Sequence, residues 1–105
     1  LHVPTITQVF NYPNPFTQST AFYFEHNLAG LQLDVSIDIY TVSGKILRHL
    51  ESSMVCEEGL SDPIHWDGLD DFGNNIGRSV YFYRLKITTE QGYSVEKIEK
   101  LVSLK

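Results

Sequence analysis

An apolar residue occupies every second position of Leu33-Asp34-Val35-Ser36-Ile37-Asp38-Ile39-Tyr40. A period of two puts one side of a strand on a core and the other in water, whereas a helix needs a period near 3.6. That alternation recurs along the chain and sets the expected fold class. Thr41-Val42-Ser43-Gly44 follows as a turn, and Lys45-Ile46-Leu47-Arg48-His49-Leu50 resumes as the returning strand of a β-hairpin. Ile6–Phe10 reads as a short strand. Thr20–His26 reads as another, with Phe22 and Phe24 on one face and Ala21, Tyr23 and Glu25 on the other. Pro63-Ile64-His65-Trp66 is a short strand in which proline suits the first position or an edge. Ser79–Ile87 is the longest candidate, with Tyr81, Tyr83, Leu85 and Ile87 as its expected core face. Glu90-Gln91-Gly92 turns the chain, and Tyr93–Leu104 returns as the last strand. Val95, Ile98, Leu101 and Val102 also carry some helical spacing, which leaves a helical end as the alternative for that segment. The sum is an all-β chain of about seven strands, predicted to form an immunoglobulin-like antiparallel β-sandwich.

Two segments look like its joints. In Tyr12-Pro13-Asn14-Pro15-Phe16 each proline fixes its own φ and pushes its predecessor toward extended geometry. A stiff extended corner is expected, presenting Tyr12 and Phe16 at a preset separation and pinning the start of the domain to the core. In Trp66-Asp67-Gly68 the single Trp precedes a turn-rich acidic loop that continues through Asp70, Asp71, Gly73 and Asn74.

A length of 105 residues fits one domain, residues 1–105, with one core and no second lobe around a deep cleft. A net charge of −5 argues against a phosphate track and against an electrostatic hold on anionic lipid. No run approaches the roughly 18 apolar residues of a membrane span, so direct membrane insertion is not expected. The chain opens on Leu1 rather than Met, which points to a segment cut from a longer protein. Cys56 has no partner for an internal disulfide. Its acidic neighbours Glu57 and Glu58 should raise its pKa, which favours a buried thiol over a catalytic one.

The remaining chemistry-bearing residues favour structural roles. Asp67, Asp70, Asp71 and Asn74 are hard oxygen donors of the kind calcium takes, but their spacing is not that of an EF-hand loop. Such residues also build turns by bonding their own backbone, so no metal or other cofactor is expected. Trp66 could stack on a sugar, and more often such a residue anchors a core. His2, His26, His49 and His65 lack the spacing of a zinc motif. Glu25 and His26 are neighbours on a strand and point to opposite faces, so they do not form an acid–base pair. No catalytic set is expected in this segment.

The order Tyr12-Pro13-Asn14-Pro15-Phe16, the alternating Val35–Tyr40, Ser43-Gly44-Lys45, Trp66-Asp67-Gly68-Leu69-Asp70-Asp71-Phe72-Gly73 and Val80-Tyr81-Phe82-Tyr83-Arg84-Leu85 resembles the C-terminal sorting domains of the Bacteroidetes type IX secretion system. The later portion also resembles the immunoglobulin-like domain of flagellar hook-capping proteins. The resemblance runs from Tyr12 to Lys105. It implies a C-terminal domain of a secreted or cell-surface protein, exported to the periplasm and read by outer-membrane secretion or anchoring proteins. In such cargo the domain is then removed by a surface sortase. Phe22-Tyr23-Phe24-Glu25-His26-Asn27 looks like the C-terminal domain of the sortase component itself, a gingipain-like cysteine peptidase. That would imply a retained domain, with the catalytic Cys and His upstream. Ser79 departs from the family pattern, which usually places Gly just before the Val-Tyr of the long strand; a glycine there can mark a bulge or a positive φ.

Strand edges carry unpaired backbone groups that a receptor can extend by adding a strand. The last strand alternates charge and hydrophobe. Its residues Val95, Glu96, Lys97, Ile98, Glu99, Lys100, Leu101 and Val102 are the expected partner contact. The alternatives are an immunoglobulin-like spacer packing on an upstream domain of the same chain, and a carbohydrate-binding module built on Trp66 and the Tyr residues.

Overall fold

The computed structural model describes residues 3–105; Leu1 and His2, with the histidine reading at position 2, lie outside the described residues. Seven strands form in order: β1 (Ile6–Tyr12), β2 (Thr20–His26), β3 (Gln32–Tyr40), β4 (Ile46–Val55), β5 (Ile64–Trp66), β6 (Ser79–Thr89) and β7 (Ser94–Ser103). They make two antiparallel sheets, β1-β2-β5 and β4-β3-β6-β7, packed as a sandwich. Among the described residues there is no helix, so the helical alternative for the last segment gives way to a strand. The reason is register: every residue from Ser94 to Ser103 pairs with β6 without a bulge, and this ladder outweighs a weak 3.6 spacing.

The alternation predicted for β3 becomes burial. Leu33, Val35, Ile37 and Ile39 face inward, as do Tyr81, Tyr83, Leu85 and Ile87 of β6. Across the interlayer, Phe22 meets Tyr83 edge to face with ring centroids 4.7 Å apart. Phe22 and Phe16 both pack on Trp66, at 6.1 and 5.4 Å. Aromatic pairs in these geometries add stability beyond the area they bury. The β3–β4 turn closes with Gly44 N–H donating to the Thr41 carbonyl at 2.9 Å. Gly44 sits at φ +94°, where a side chain would be strained.

Several boundaries differ from expectation. β1 continues to Tyr12, because the chain stays paired with β2 as far as Tyr12 opposite Ala21. β4 runs to Val55, through Ser52 and Ser53, because β3 supplies a partner for each residue as far as Gln32 opposite Val55. Pro63 stands just outside β5. Ser79 needs no glycine geometry, since no non-glycine residue among those described has positive φ.

The proline corner also departs from the extended form. Residues 13–15 bend, and the peptide bonds Tyr12–Pro13 and Asn14–Pro15 are both cis. Phe16 is fully buried, whereas Tyr12 is 72% exposed. Asn11 already points into the core, so strand alternation turns Tyr12 to solvent. Of the two aromatics, only Phe16 therefore pins the corner to the core.

Candidate functional site

β7 is an outer strand of the four-stranded sheet, and its free edge is not uniform. In an antiparallel strand the backbone groups of alternate residues point to the paired neighbour and away from it. The groups that point away from β6 belong to the even-numbered residues, as the partners at 100, 102 and 104 show. The Val102 N–H donates to Asn14 Oδ1 at 3.0 Å, and the Val102 carbonyl accepts from Phe16 N–H at 3.0 Å. Leu104 N–H donates to the Phe16 carbonyl at 2.8 Å, and Asn14 Nδ2 reaches the Lys100 carbonyl at 3.5 Å. The proline corner thus acts as a short extra strand over the last third of the edge. The outward groups of Glu96 and Ile98, and the Lys100 N–H, remain open.

The side chains divide at the same place. Glu96, Lys97, Ile98, Glu99 and Lys100 are exposed, and Val95 is half-buried. Leu101 is fully buried in the core and Val102 is half-buried beneath the corner. Of the eight residues expected to meet a partner, the run from Glu96 to Lys100 is presented outward, while Leu101 and Val102 are already committed to the fold.

The acidic loop closes the opposite edge of the same sheet. Leu47 is the extra residue of a bulge in β4, and its carbonyl accepts from Asp71 N–H at 2.9 Å. Asp71 Oδ1 in turn accepts from His49 N–H at 3.2 Å. Within the loop, Asp67 Oδ1 accepts from Leu69 N–H at 3.0 Å, and Asp70 Oδ1 accepts from Phe72 and Asn74 N–H at 2.9 Å each. The carboxylates are thus engaged with backbone N–H groups, the turn-building reading of this cluster. Arg48 supplies a counter-charge, 3.7 Å from both Asp67 and Asp71, and its Nη1 donates to the Leu69 and Asp70 carbonyls. Gly68, at φ +74°, lies under the Lys105 side chain; a Cβ there would sit 2.5 Å from Lys105 Cε. Gly73 at φ +83° completes the turn, its N–H donating to the Asp70 carbonyl at 3.1 Å.

Trp66 is 2% exposed, and its indole N–H donates to the Leu69 carbonyl at 2.9 Å. It offers no face to a sugar, so the carbohydrate reading loses its Trp and keeps only tyrosines such as Tyr12 and Tyr93, which are exposed. Cys56 is also buried, and burial is the main reason its thiol pKa is raised. The acidic contribution comes from Asp62 rather than from the sequence neighbours Glu57 and Glu58. His26 is buried beside exposed Glu25, facing the other way as expected. Its Nδ1 accepts from Leu28 N–H at 2.9 Å, which places the ring proton on Nε2.

Two groups important to this architecture escaped the sequence reading. Arg48 holds the acidic loop from 19 to 23 residues away, a pairing visible only once the β4 bulge is known. Asp38 and His49 face each other across β3 and β4, with Oδ1 and Nδ1 2.6 Å apart. That bond is the chief cause of a raised His49 pKa. The alternation of β3 put Asp38 on the wet face; the β3–β4 register was the missing piece.

No family model and no curated protein matches the chain. Solved structures do. The structure of dimeric latent PorU from Porphyromonas gingivalis contains a segment that aligns with 98% of this chain at a TM-score of 0.81 and 25% identity. The chain is similar to one segment of PorU. It spans about a tenth of PorU, 10% of that chain. FlgD from Xanthomonas campestris, a protein of flagellar hook capping, aligns with 95% of this chain at a TM-score of 0.62 and 20% identity, over 67% of its own length. The FlgD likeness is one of fold; the PorU likeness extends it to a protein whose domain-sized segment shares a quarter of its residues with this chain.

Proposed function

We propose that this chain is a non-catalytic sorting or anchoring domain of a type IX secreted or cell-surface protein, read by outer-membrane secretion or anchoring proteins. The observation that carries the reading is the PorU likeness over 98% of the chain, which agrees with the sorting-domain motifs at Tyr12–Phe16 and Trp66–Gly73. The open part of the β7 edge supplies a means. A receptor strand can bond the outward groups of Glu96, Ile98 and Lys100 while its side chains read the exposed charges. The closed part supplies rigidity, because the proline corner holds the strand in place while the rest is read. A parent of the sortase kind, with its peptidase upstream, is the narrower form of the same proposal.

The test is a graft. The domain is fused behind a periplasmically exported fluorescent passenger in a host with a working type IX system. Surface display of the passenger is the expected result. Ile98→Pro, which removes one outward N–H from an exposed edge position, should reduce display while the domain stays folded. A passenger retained in the periplasm by a folded wild-type domain rejects the reading.

The spacer alternative draws on a different surface. On the outer face of the four-stranded sheet, Tyr40 and Phe82 stack with centroids 6.1 Å apart, beside Ile46 at 54% and Val80 at 38% exposure. An upstream domain of the same chain could rest there. Under that reading the graft fails, and Phe82→Ser alters domain packing in the parent without altering export.

A further inference from the structure

The open segment of the β7 edge reads Glu96-Lys97-Ile98-Glu99-Lys100, and reflection about Ile98 reverses the sign of every charge in it. The geometry points to a second copy of this chain as an occupant of this edge, joined β7 to β7 across a two-fold axis through Ile98. In that antiparallel register Ile98 stands opposite Ile98 of the partner subunit. Glu96 stands opposite Lys100 of the partner subunit, and Lys97 opposite Glu99 of the partner subunit. Every charge in the segment meets an opposite one.

Backbone parity agrees with the same register. Ile98 carries outward N–H and C=O groups, so a pair centred on it exchanges both of its main-chain bonds. The Glu96 carbonyl then accepts from Lys100 N–H of the partner subunit. Pairing stops just beyond, because Asn14 and Phe16 occupy the outward groups of Val102. In this register Ser94 would stand opposite Val102 of the partner subunit, so the cover on Val102 ends the pairing where the self-complementary segment ends. An isologous contact of this kind closes on itself and does not propagate.

Competing registers fail on charge. Centring the pair on Lys97 or Lys100 puts lysine against lysine, and centring it on Glu96 or Glu99 puts glutamate against glutamate; like charges directly opposite are destabilising. Among the described residues none of these four side chains makes an ion pair within its own chain. The exposed Ile98 side chain, at 53%, gains a hydrophobic neighbour in the same step. The other outer strand lacks this property: a pair centred on Glu51 of β4 would set Glu51 against itself. Edge charges normally deter strand addition. Here they deter every strand except one with the complementary pattern.

This inference uses the same edge as the sorting proposal but does not rest on it, and the surface-display graft tests that proposal separately. The experiment is sedimentation velocity of the 105-residue chain over a concentration series at low ionic strength. Wild type is expected to self-associate, less so with added salt. Lys97→Glu and Glu99→Lys, both at exposed positions, should each raise the dissociation constant about tenfold, since each creates two like-charged pairs. The double variant Lys97→Glu/Glu99→Lys should restore association. So should an equimolar mixture of the two single variants, in which each chain supplies the charge the other needs. Circular dichroism checks that the variants keep the fold. A wild-type chain that stays monomeric up to about 1 mM overturns the proposal. So does self-association that the single variants leave unchanged, or that neither the double variant nor the mixture recovers.

Discussion

The two outer strands of the larger sheet, β4 and β7, solve the same problem with different chemistry. Each has part of its edge covered by a loop in place of a neighbouring strand. Over β7 the cover is neutral: the Asn14 amide and the backbone of Phe16 bond Val102 and Leu104. Over β4 the cover is charged: Asp71 bonds the backbone of Leu47 and His49, and Arg48 balances the carboxylates. Neutral amide bonds are little affected by ionic strength, whereas half-exposed ion pairs are screened. The cover over β7 should therefore hold at low and high salt alike, and the cover over β4 should loosen as salt is added.

The largest expected effect removes what the two covers share. Trp66 packs on Phe16 of the proline corner and bonds the Leu69 carbonyl of the acidic loop. Trp66→Ala should cost about 3–5 kcal/mol in chemical denaturation. It should also speed amide exchange at both Val102 and Asp71. Protection retained at either amide would show that the covers do not depend on a common support.

Asn14→Ala comes next. It removes the acceptor for Val102 N–H and should cost about 1–2 kcal/mol, with the same value at low and high salt. A salt-dependent loss would break the neutral side of the comparison. Arg48→Gln should cost about 1 kcal/mol or less, shrinking as salt is added. An unchanged loss in high salt would mean that Arg48 acts through its bonds to the Leu69 and Asp70 carbonyls alone.

The smallest effect is in pH. The bond to Asp38 raises the His49 pKa, so the folded state holds its proton more tightly than the unfolded chain. The stabilisation from His49 is complete below the unfolded value, about 6.5, and is lost as pH rises through the folded value. His26 has the opposite sign, because burial lowers its pKa. Its neutral form is favoured by folding, so stability falls as pH drops from about 6.5 toward the lowered value. His49→Gln should flatten the alkaline side of the stability profile and leave the acidic side. A profile unchanged by this substitution would remove Asp38–His49 from the account.

The strand plan was legible because alternation is local. The inward set of β6 and the hairpin at Thr41–Gly44 needed nothing beyond neighbouring residues. The covers were not legible in this way. Asn14 meets Val102 across 88 positions, and no periodicity in either segment announces the contact. The same holds for the edge: eight consecutive residues looked alike in sequence, and the corner folding over Val102 is what divides them. Trp66 could be read as a core residue from its place before a turn, while the hydrogen bond from its indole to Leu69 required the loop itself.

Because β7 alternates without a bulge, the open segment and the anchor are geared together. Deleting or inserting one residue between Ile98 and Leu101 would reverse the facing of everything on one side of the change. Either Leu101 would turn out of the core, or the exposed charges would exchange faces. Length variation among chains built on this plan should therefore collect in the hairpin tip around Glu90–Gly92, where a change leaves both ends of the strand in phase.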